Sequence, residues 1–251
     1  NLDVLAMIRM AHAIKPNEIP PMVQLKVVEE DKPRAGRDYF SAADSEILFD
    51  TGAAIARIFR STQYRRRMIV SAEASSDVNK RPLTWRWTVL NGDPGLVKIK
   101  PRNPAGSVVE LEVAWQGRHP IAPGSKMTSS RVDSGVFVHN GKYHSAPGFV
   151  SIMTLDNERR TYNAKHLIES VEYGGKKGDG NYVDPAYALP KRWKDVYQYD
   201  EQDRLIGWTR IRAKQTQEFT ADGALITARD ALGRAVTARS VRYVASPRKG
   251  R

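Results

Sequence analysis

Leu83-Thr84-Trp85-Arg86-Trp87-Thr88-Val89 alternates without a break. Leu83, Trp85, Trp87 and Val89 face one way and Thr84, Arg86 and Thr88 the other, the period of two that a half-buried strand requires. Two Trp on one face put a heavy apolar load on that side, so the stretch predicts one strand of a packed sheet. The pattern extends outward from it. Asn91-Gly92-Asp93-Pro94-Gly95 is turn chemistry. Leu96 to Lys100 reads as a second strand, 101–106 as another turn, and Val108 to Trp115 alternates with Val109, Leu111, Val113 and Trp115 on one face. Upstream, Met68 to Ala72 is a short apolar strand led by Arg65-Arg66-Arg67, which are expected on its solvated lead-in. Downstream of the polar loop 116–130, Gly135 to His139 runs into Asn140-Gly141. That dipeptide predicts a two-residue hairpin, because both positions accept positive φ. Phe149 to Leu155 is the last strand. Strands recur roughly every 8–15 residues with no helical pattern between them, the spacing of an antiparallel β-sandwich over 66–155.

Two stretches carry a family resemblance. Ser71-Ala72-Glu73-Ala74-Ser75-Ser76-Asp77 with Pro82-Leu83-Thr84-Trp85-Arg86-Trp87 resembles the opening of a polycystic-kidney-disease-type (PKD) Ig-like domain. Val138-His139-Asn140-Gly141 with Tyr143-His144-Ser145-Ala146-Pro147 resembles the hairpin that closes the same fold. The resemblance covers a little over a third of the chain. It implies an extracellular, periplasmic or cell-surface interaction module, of the kind that sits beside catalytic domains of secreted polysaccharide- or protein-degrading enzymes. Asp77-Val78-Asn79-Lys80 departs from the family's Asp-Pro-Asp-Gly turn, and the missing second Asp and added Lys80 put a calcium site there in doubt. No other cofactor is expected.

The flanks read differently. The lead-in, 1–65, opens with Leu2, Leu5, Ile8, Met10 and Ala13 at near-helical spacing behind Asp3, closed by Pro16, Pro20 and Pro21. A helix is expected there, either packed on its own domain or the tail of an upstream one, since the chain starts at Asn1 and reads as covalently continuous with a preceding domain. Residues 29–38 read as a charged linker, and 41–60 leave helix and strand open. Residues 156–195 read as a connector, with Gly174, Gly175, Gly178 and Gly180 in a loop. From 196 to 245 the chain repeats an aromatic or Asp lead, a tight Asp/Gly turn and an apolar strand: Tyr197 to Trp208, Phe219 to Thr227, Asp230 to Thr237. These units resemble the tyrosine–aspartate (YD) repeat hairpins of bacterial surface and toxin-shell proteins, and stacked β-hairpins are expected. The tail, 246–251, is basic and expected to be disordered. The fold class is therefore mainly β: an Ig-like sandwich with a short N-terminal helix and a C-terminal β-hairpin region.

The composition excludes several chemistries. The 251 residues contain no Cys, which rules out disulfides, thiol nucleophiles and Cys-ligated metal sites without deciding the compartment. There is no apolar run long enough for a transmembrane helix. None of the five His falls in a zinc-hydrolase spacing, and no nucleophile elbow, dinucleotide fingerprint or P-loop is present. His139 and His144 flank the hairpin turn and would lie diagonally on one face, with Asp133 as a conceivable third member of a metal or proton-transfer group. Glu110 and Glu112 read as solvated carboxylates on an outward face.

The net charge of +12 comes from two zones, +7 over 51–100 and +6 over 201–251. Arg57, Arg60, Arg65, Arg66 and Arg67, around Tyr64, form the densest run and a candidate polyanion or nucleic-acid site. Trp193, Tyr197 and Trp208 are the candidate ligand-stacking aromatics, while Trp85, Trp87 and Trp115 are assigned to the core. The sequence supports a non-catalytic module of an exported bacterial protein that binds a glycan or protein partner. The alternatives are an accessory region of a secreted polysaccharide-degrading enzyme and a polyanion binder.

Overall fold

In a computed structural model, which describes residues 2–34, 36–38, 45–155, 158–173 and 193–243, strand makes up 49% of the chain and helix 7%, so the chain is mainly β. One helix, α1 (Val4–Ala13), precedes the strands. The first group of strands is β1 (Lys26–Glu30), β2 (Ile47–Asp50), β3 (Ala54–Phe59), β4 (Arg65–Ser71), β5 (Thr84–Asn91), β6 (Val97–Pro101), β7 (Val108–Ala114), β8 (His119–Pro120), β9 (Thr128–Ser129), β10 (Val132–His139) and β11 (Gly148–Thr154). The second is β12 (Glu158–Tyr162), β13 (Ile168–Tyr173), β14 (Lys194–Tyr199), β15 (Leu205–Arg212), β16 (Gln215–Thr220), β17 (Leu225–Arg229) and β18 (Ala235–Arg239).

The first group makes a sandwich. One sheet runs β1-β4-β7-β6 and the other β2-β3-β11-β10-β5. Lettered in chain order, with β2, β3 and the short β8–β9 ladder set aside, these are A-B-E-D against C-F-G, the strand order of an immunoglobulin-type sandwich. β3 joins the second sheet parallel to β11, the one parallel pair among the described strands. The alternation that opened the sequence holds. Trp85 and Trp87 pack against a core that includes Met68, Val70, Val109, Leu111, Val136, Val138 and Val150. Each Trp lies at the core's margin, because its indole N–H needs an acceptor: Trp85 donates to the Ala72 carbonyl and Trp87 to that of Gly106, both at 3.0 Å.

The second group is a meander in which each strand pairs with the next, β12 through β18. Two of its strands, β12 and β13, fall in the stretch expected as a connector. Their short polar-apolar runs carry too few apolar residues to stand out before the aromatic face they join is known. The glycine-rich part of that stretch lies outside the described residues, as does the tail.

Four turns of this sheet, starting at Asn163, Asp200, Thr220 and Asp230, share one hydrogen-bond scheme. The first residue's amide donates to the carbonyl four residues on, and the fourth residue's amide donates back to the first carbonyl. The first residue's side-chain oxygen accepts from the fifth residue's amide. The fourth residue has positive φ in every case: His166, Asp203, Gly223 and Gly233. That is the three-residue hairpin loop with a left-handed closing residue. Thus the three repeats visible in the sequence have a fourth member, at Asn163.

The helix forms where its spacing and cap predict, with Asp3 accepting from the Ala6 amide at 2.9 Å. Yet none of its residues is buried, and Leu5 and Ile8 remain 65% and 49% exposed, so it does not pack on the sandwich. The expected linker begins inside β1, whose last residues are Glu29 and Glu30, and is tied down beyond it. Asp38, 3% exposed, accepts from the Arg34 amide and from both the amide and hydroxyl of Thr62.

Candidate functional site

The densest arginine run is largely internal. Arg65-Arg66-Arg67 belong to β4 itself rather than to a solvated lead-in. Arg66 has the same parity as Met68 and Val70, so it points between the sheets, where Arg57 meets it from β3. Arg57 pairs with Glu30 and Asp50, both at 2.9 Å, and Arg66 with Glu30 at 2.9 Å and with Glu46. Arg57 and Arg66 are 0% and 1% exposed. Burial pushes Glu30 up, but the hydrogen bonds and charges of Arg57 and Arg66 bring it below the usual carboxylate value. Burial wins at Glu46, which is raised. Arg67 pairs with Glu29 and Glu110, and buried Arg60 donates to the Ser45 carbonyl. Four of the five candidate polyanion contacts are thus occupied by the protein's own acceptors. Arg65 lies over the Tyr64 ring at 5.6 Å. Glu110, expected to be solvated, is buried by its contacts with Arg67 and Arg102.

The candidate stacking aromatics come together, but as a core. Tyr197 and Trp208, 6% and 1% exposed, lie 5.8 Å apart, and Trp208 stacks on Phe219 at 5.3 Å. Neither has a face left for a ligand. Half-buried Trp193 donates its indole N–H to Asp195 and packs against Arg210 and Arg212. Arg210 forms a two-pronged ion pair with Asp195 at 2.8 Å on both arms, enclosed by Trp193, Phe219 and Tyr243. The sequence around these aromatics is polar because alternate residues face outward, which disguised their burial.

The closing hairpin also differs in register. His139 pairs directly with His144 across a four-residue loop, their rings 4.3 Å apart. The loop lengthens because the Asn140 side chain accepts from the Lys142 and Tyr143 amides and donates to Asp77 at 2.8 Å. The two stretches that carried the family resemblance are therefore tied to each other. Asp77 also accepts from the Asn79 amide, so both carboxylate oxygens are engaged. Asp133 lies six residues along β10 from His139 and is held by Arg131 and Ser151. Among the described residues no group of three His, Asp or Glu is placed to hold a metal ion.

A concavity of about 640 Å³ lies where the sandwich meets the hairpin sheet. Three segments of the sandwich bound it: Tyr64 just before β4, the turn Gly92–Leu96, and the chain leaving β7 from Trp115 to His119. Arg160 and Tyr162 of β12 close the other side. The rings are contiguous, with Tyr64 edge-on to Tyr162 at 5.1 Å and Trp115 tilted against Tyr162 at 5.8 Å. His166 stacks on Tyr64 at 4.1 Å. Arg160 rivets the two units together: it donates to the carbonyls of Phe59, Arg60 and Ser61 and pairs with Glu158 at 2.9 Å. Burial raises the Tyr162 phenol, keeping it neutral as a donor and acceptor.

No protein family, curated protein or solved structure matches the chain.

Trp115, assigned to the core, does pack partly buried against it and also lines this concavity, as does Tyr64, expected among the arginines. Trp115 is the last residue of its alternating series and is followed by Gln116-Gly117. A large apolar side chain at a strand's exit, beside a long polar loop, was the available signal for a rim position.

Proposed function

We propose that this chain is a non-catalytic interaction module of a larger exported bacterial protein, acting at a cell surface, in the periplasm or outside the cell. Its partner, a glycan or a protein, is received at the junction of the sandwich and the hairpin sheet. The observation that carries this reading is the aromatic cavity formed jointly by the two units: apolar rings with a few convergent polar groups make a binding site rather than a packing defect. The sandwich is read as PKD-type and the hairpin sheet as YD-type repeats. Support for the first is the immunoglobulin strand order, and for the second the common scheme of the four turns. An accessory role beside a polysaccharide-degrading enzyme is the second reading, favoured by the same ring-lined junction. The polyanion reading loses its main support, because the internal ion pairs consume the arginines assigned to it.

The purified chain is expected to bind on glycan arrays or to retain a defined protein partner. Replacing Trp115 by Ala should abolish that binding while the hairpin sheet keeps its near-ultraviolet circular dichroism. Turnover of a substrate by the chain alone overturns the reading. So does nucleic-acid binding that falls steeply with salt, the signature of counterion release.

A further inference from the structure

We propose that a second groove, on the outer face of the sandwich, binds an acidic saccharide by pairing a uronate carboxylate with Arg86. The site goes beyond the interaction-module reading, because it shares no lining residue with the junction cavity.

The strand that revealed the fold also aims this arginine. In β5, Trp85 and Trp87 pack on the core, so Arg86 and Thr88 stand on the opposite face. The register puts Phe137 of β10 directly across from Arg86, while His139, two residues further on, pairs with His144 of the next segment. Arg86, Phe137 and His144 therefore come from three adjacent segments of one sheet. With Thr88 and Ser145 they line a groove of about 470 Å³. That size lies within the roughly 300–1,000 Å³ of small-molecule sites.

The groove holds a cation with no counter-charge. Exposed Arg86 makes no ion pair or hydrogen bond among the described residues. The nearby carboxylates are already taken. Asp133, four residues along β10 on the same face, holds Arg131 and Ser151, and Asp77 at the closing hairpin holds Asn79 and Asn140. His144 lies against the His139 ring at 4.3 Å. The Gly141 amide donates to His139 Nδ1, which leaves the His139 proton on Nε2 and disfavours a metal ion shared by the two rings.

An unpaired guanidinium fork suits a carboxylate, which it meets through two parallel hydrogen bonds. Half-buried Phe137 sets an apolar ring beside that fork. A uronate carries its carboxylate and a C–H face on one rigid pyranose ring, and so meets both at once. Its hydroxyls find hydrogen-bonding partners in Thr88 and His144. The carboxylate of an Asp or Glu side chain sits on a short flexible stem and gives Phe137 no flat face to meet.

The test uses the full chain and immobilised oligogalacturonates, oligoguluronates and oligoglucuronates of three to six units, with their neutral counterparts and a glutamate-rich peptide alongside. The uronates should be bound in preference to both. Titration calorimetry with the tightest oligouronate then compares Arg86→Met, which keeps the stem and removes the charge, with Arg86→Lys, which keeps the charge and removes the fork. Losing a hydrogen bond to a charged group predicts weakening by about 10-fold or more in the first, with a smaller loss in the second. The side chain is exposed, so both variants should unfold at the parent's temperature. Trp115→Ala should leave uronate affinity unchanged, because the junction cavity is a separate site. Uronate binding that Arg86→Met leaves unchanged overturns the groove. If Trp115→Ala abolishes that binding instead, the acidic sugar belongs to the junction and the module reading stands. Equal binding of the neutral series, preference for the peptide, or no uronate binding at all also overturns the proposal.

Discussion

In the sandwich, hairpin pairs (β2 with β3, β6 with β7, β10 with β11) are joined by pairs far apart in the chain: β1 with β4, β4 with β7, β5 with β10, β3 with β11. In the hairpin sheet every strand pairs with its neighbour in sequence. The two regions also differ in what fills them. The sandwich core is aliphatic, dominated by Val, Ile, Leu and Met, with an ionic plug of Arg57, Arg66, Glu30 and Glu46 at one end. The hairpin sheet is aromatic, and its buried ion pair Arg210–Asp195 sits inside the rings, while a second, Arg160–Glu158, lies at the junction with the sandwich. The contrast shows how each region obtains a unique arrangement. The sandwich must bring distant segments together, and branched aliphatic side chains provide apolar area on both facing sheets. The meander has one face to cover and few residues to do it, so large rings supply the area and repeated turns supply the register.

The largest expected effect breaks the aromatic region alone. In Asp195→Asn the Arg210 guanidinium keeps its rings but loses its counter-charge. Removing one partner of a fully buried ion pair costs about 4 kcal/mol. The hairpin sheet should melt first, and amide exchange should show β14–β16 unprotected while β4, β7 and β10 stay protected. Equal loss of protection in both regions would mean that they fold as one unit.

Arg160→Met tests that coupling directly. Its guanidinium bonds to three carbonyls at the end of β3, and bonds from a charged donor are individually strong, so the change should cost about 3 kcal/mol. A single urea transition in the parent is expected to split into two, and ligand binding at the junction should fall with it.

The ionic plug responds to acid. Glu30 has a folded-state pKa below the usual carboxylate value, so its contribution is fully present above that usual value and is lost as pH falls through the lowered one. Glu46 is shifted upward and acts in the opposite sense, its carboxylate becoming more costly as pH rises through its folded value. Glu30→Gln should therefore destabilise by about 2 kcal/mol at pH 7, the worth of hydrogen bonds to a charged group. The gap from the parent should close as the solution is acidified below pH 4.5. A gap that stays constant with pH would show that packing, not charge, holds the plug.

Much of this architecture was legible because it is local. Alternation at 83–89 and 108–115 needs only neighbouring residues, and so do the Asp/Gly turns. The strand order of the sandwich, the parallel pairing of β3 and the inward aim of Arg66 depend on what lies across the other sheet. A basic run of three in sequence looks like a surface until Glu30 and Glu46, 36 and 20 positions earlier, are known to face it. The junction cavity was hidden for the same reason. Its residues come from 64, 92–96, 115–119 and 160–162, four segments joined only by the docking of one sheet on the end of another. His139 and His144 show the limit of even a local rule: Asn-Gly predicted the turn, but Asn140 used its side chain to reach Asp77 and so altered the register.

The turns offer the gentlest way to sharpen the comparison. Asp230 accepts from the Leu232 and Arg234 amides and holds the Arg234 guanidinium at 2.7 Å. Its pKa is lowered, first by the Arg234 amide and then by its side chain. Asp230→Ala leaves the fifth residue's amide without its acceptor, a loss like that of a helix cap, so the last hairpin should become less stable. The effect should stay within β17 and β18, because all of β18 is exposed and nothing in either core rests on it. The Arg234 amide should exchange faster with no change in Trp208 fluorescence. Thr220→Ala makes the equivalent change one turn earlier, next to buried Phe219. There the same lost hydrogen bond should loosen the aromatic core as well. If the two variants behave alike, the turn fixes only its own hairpin. If Thr220→Ala alone disturbs Trp208, the repeated scheme sets the register on which the aromatic packing depends.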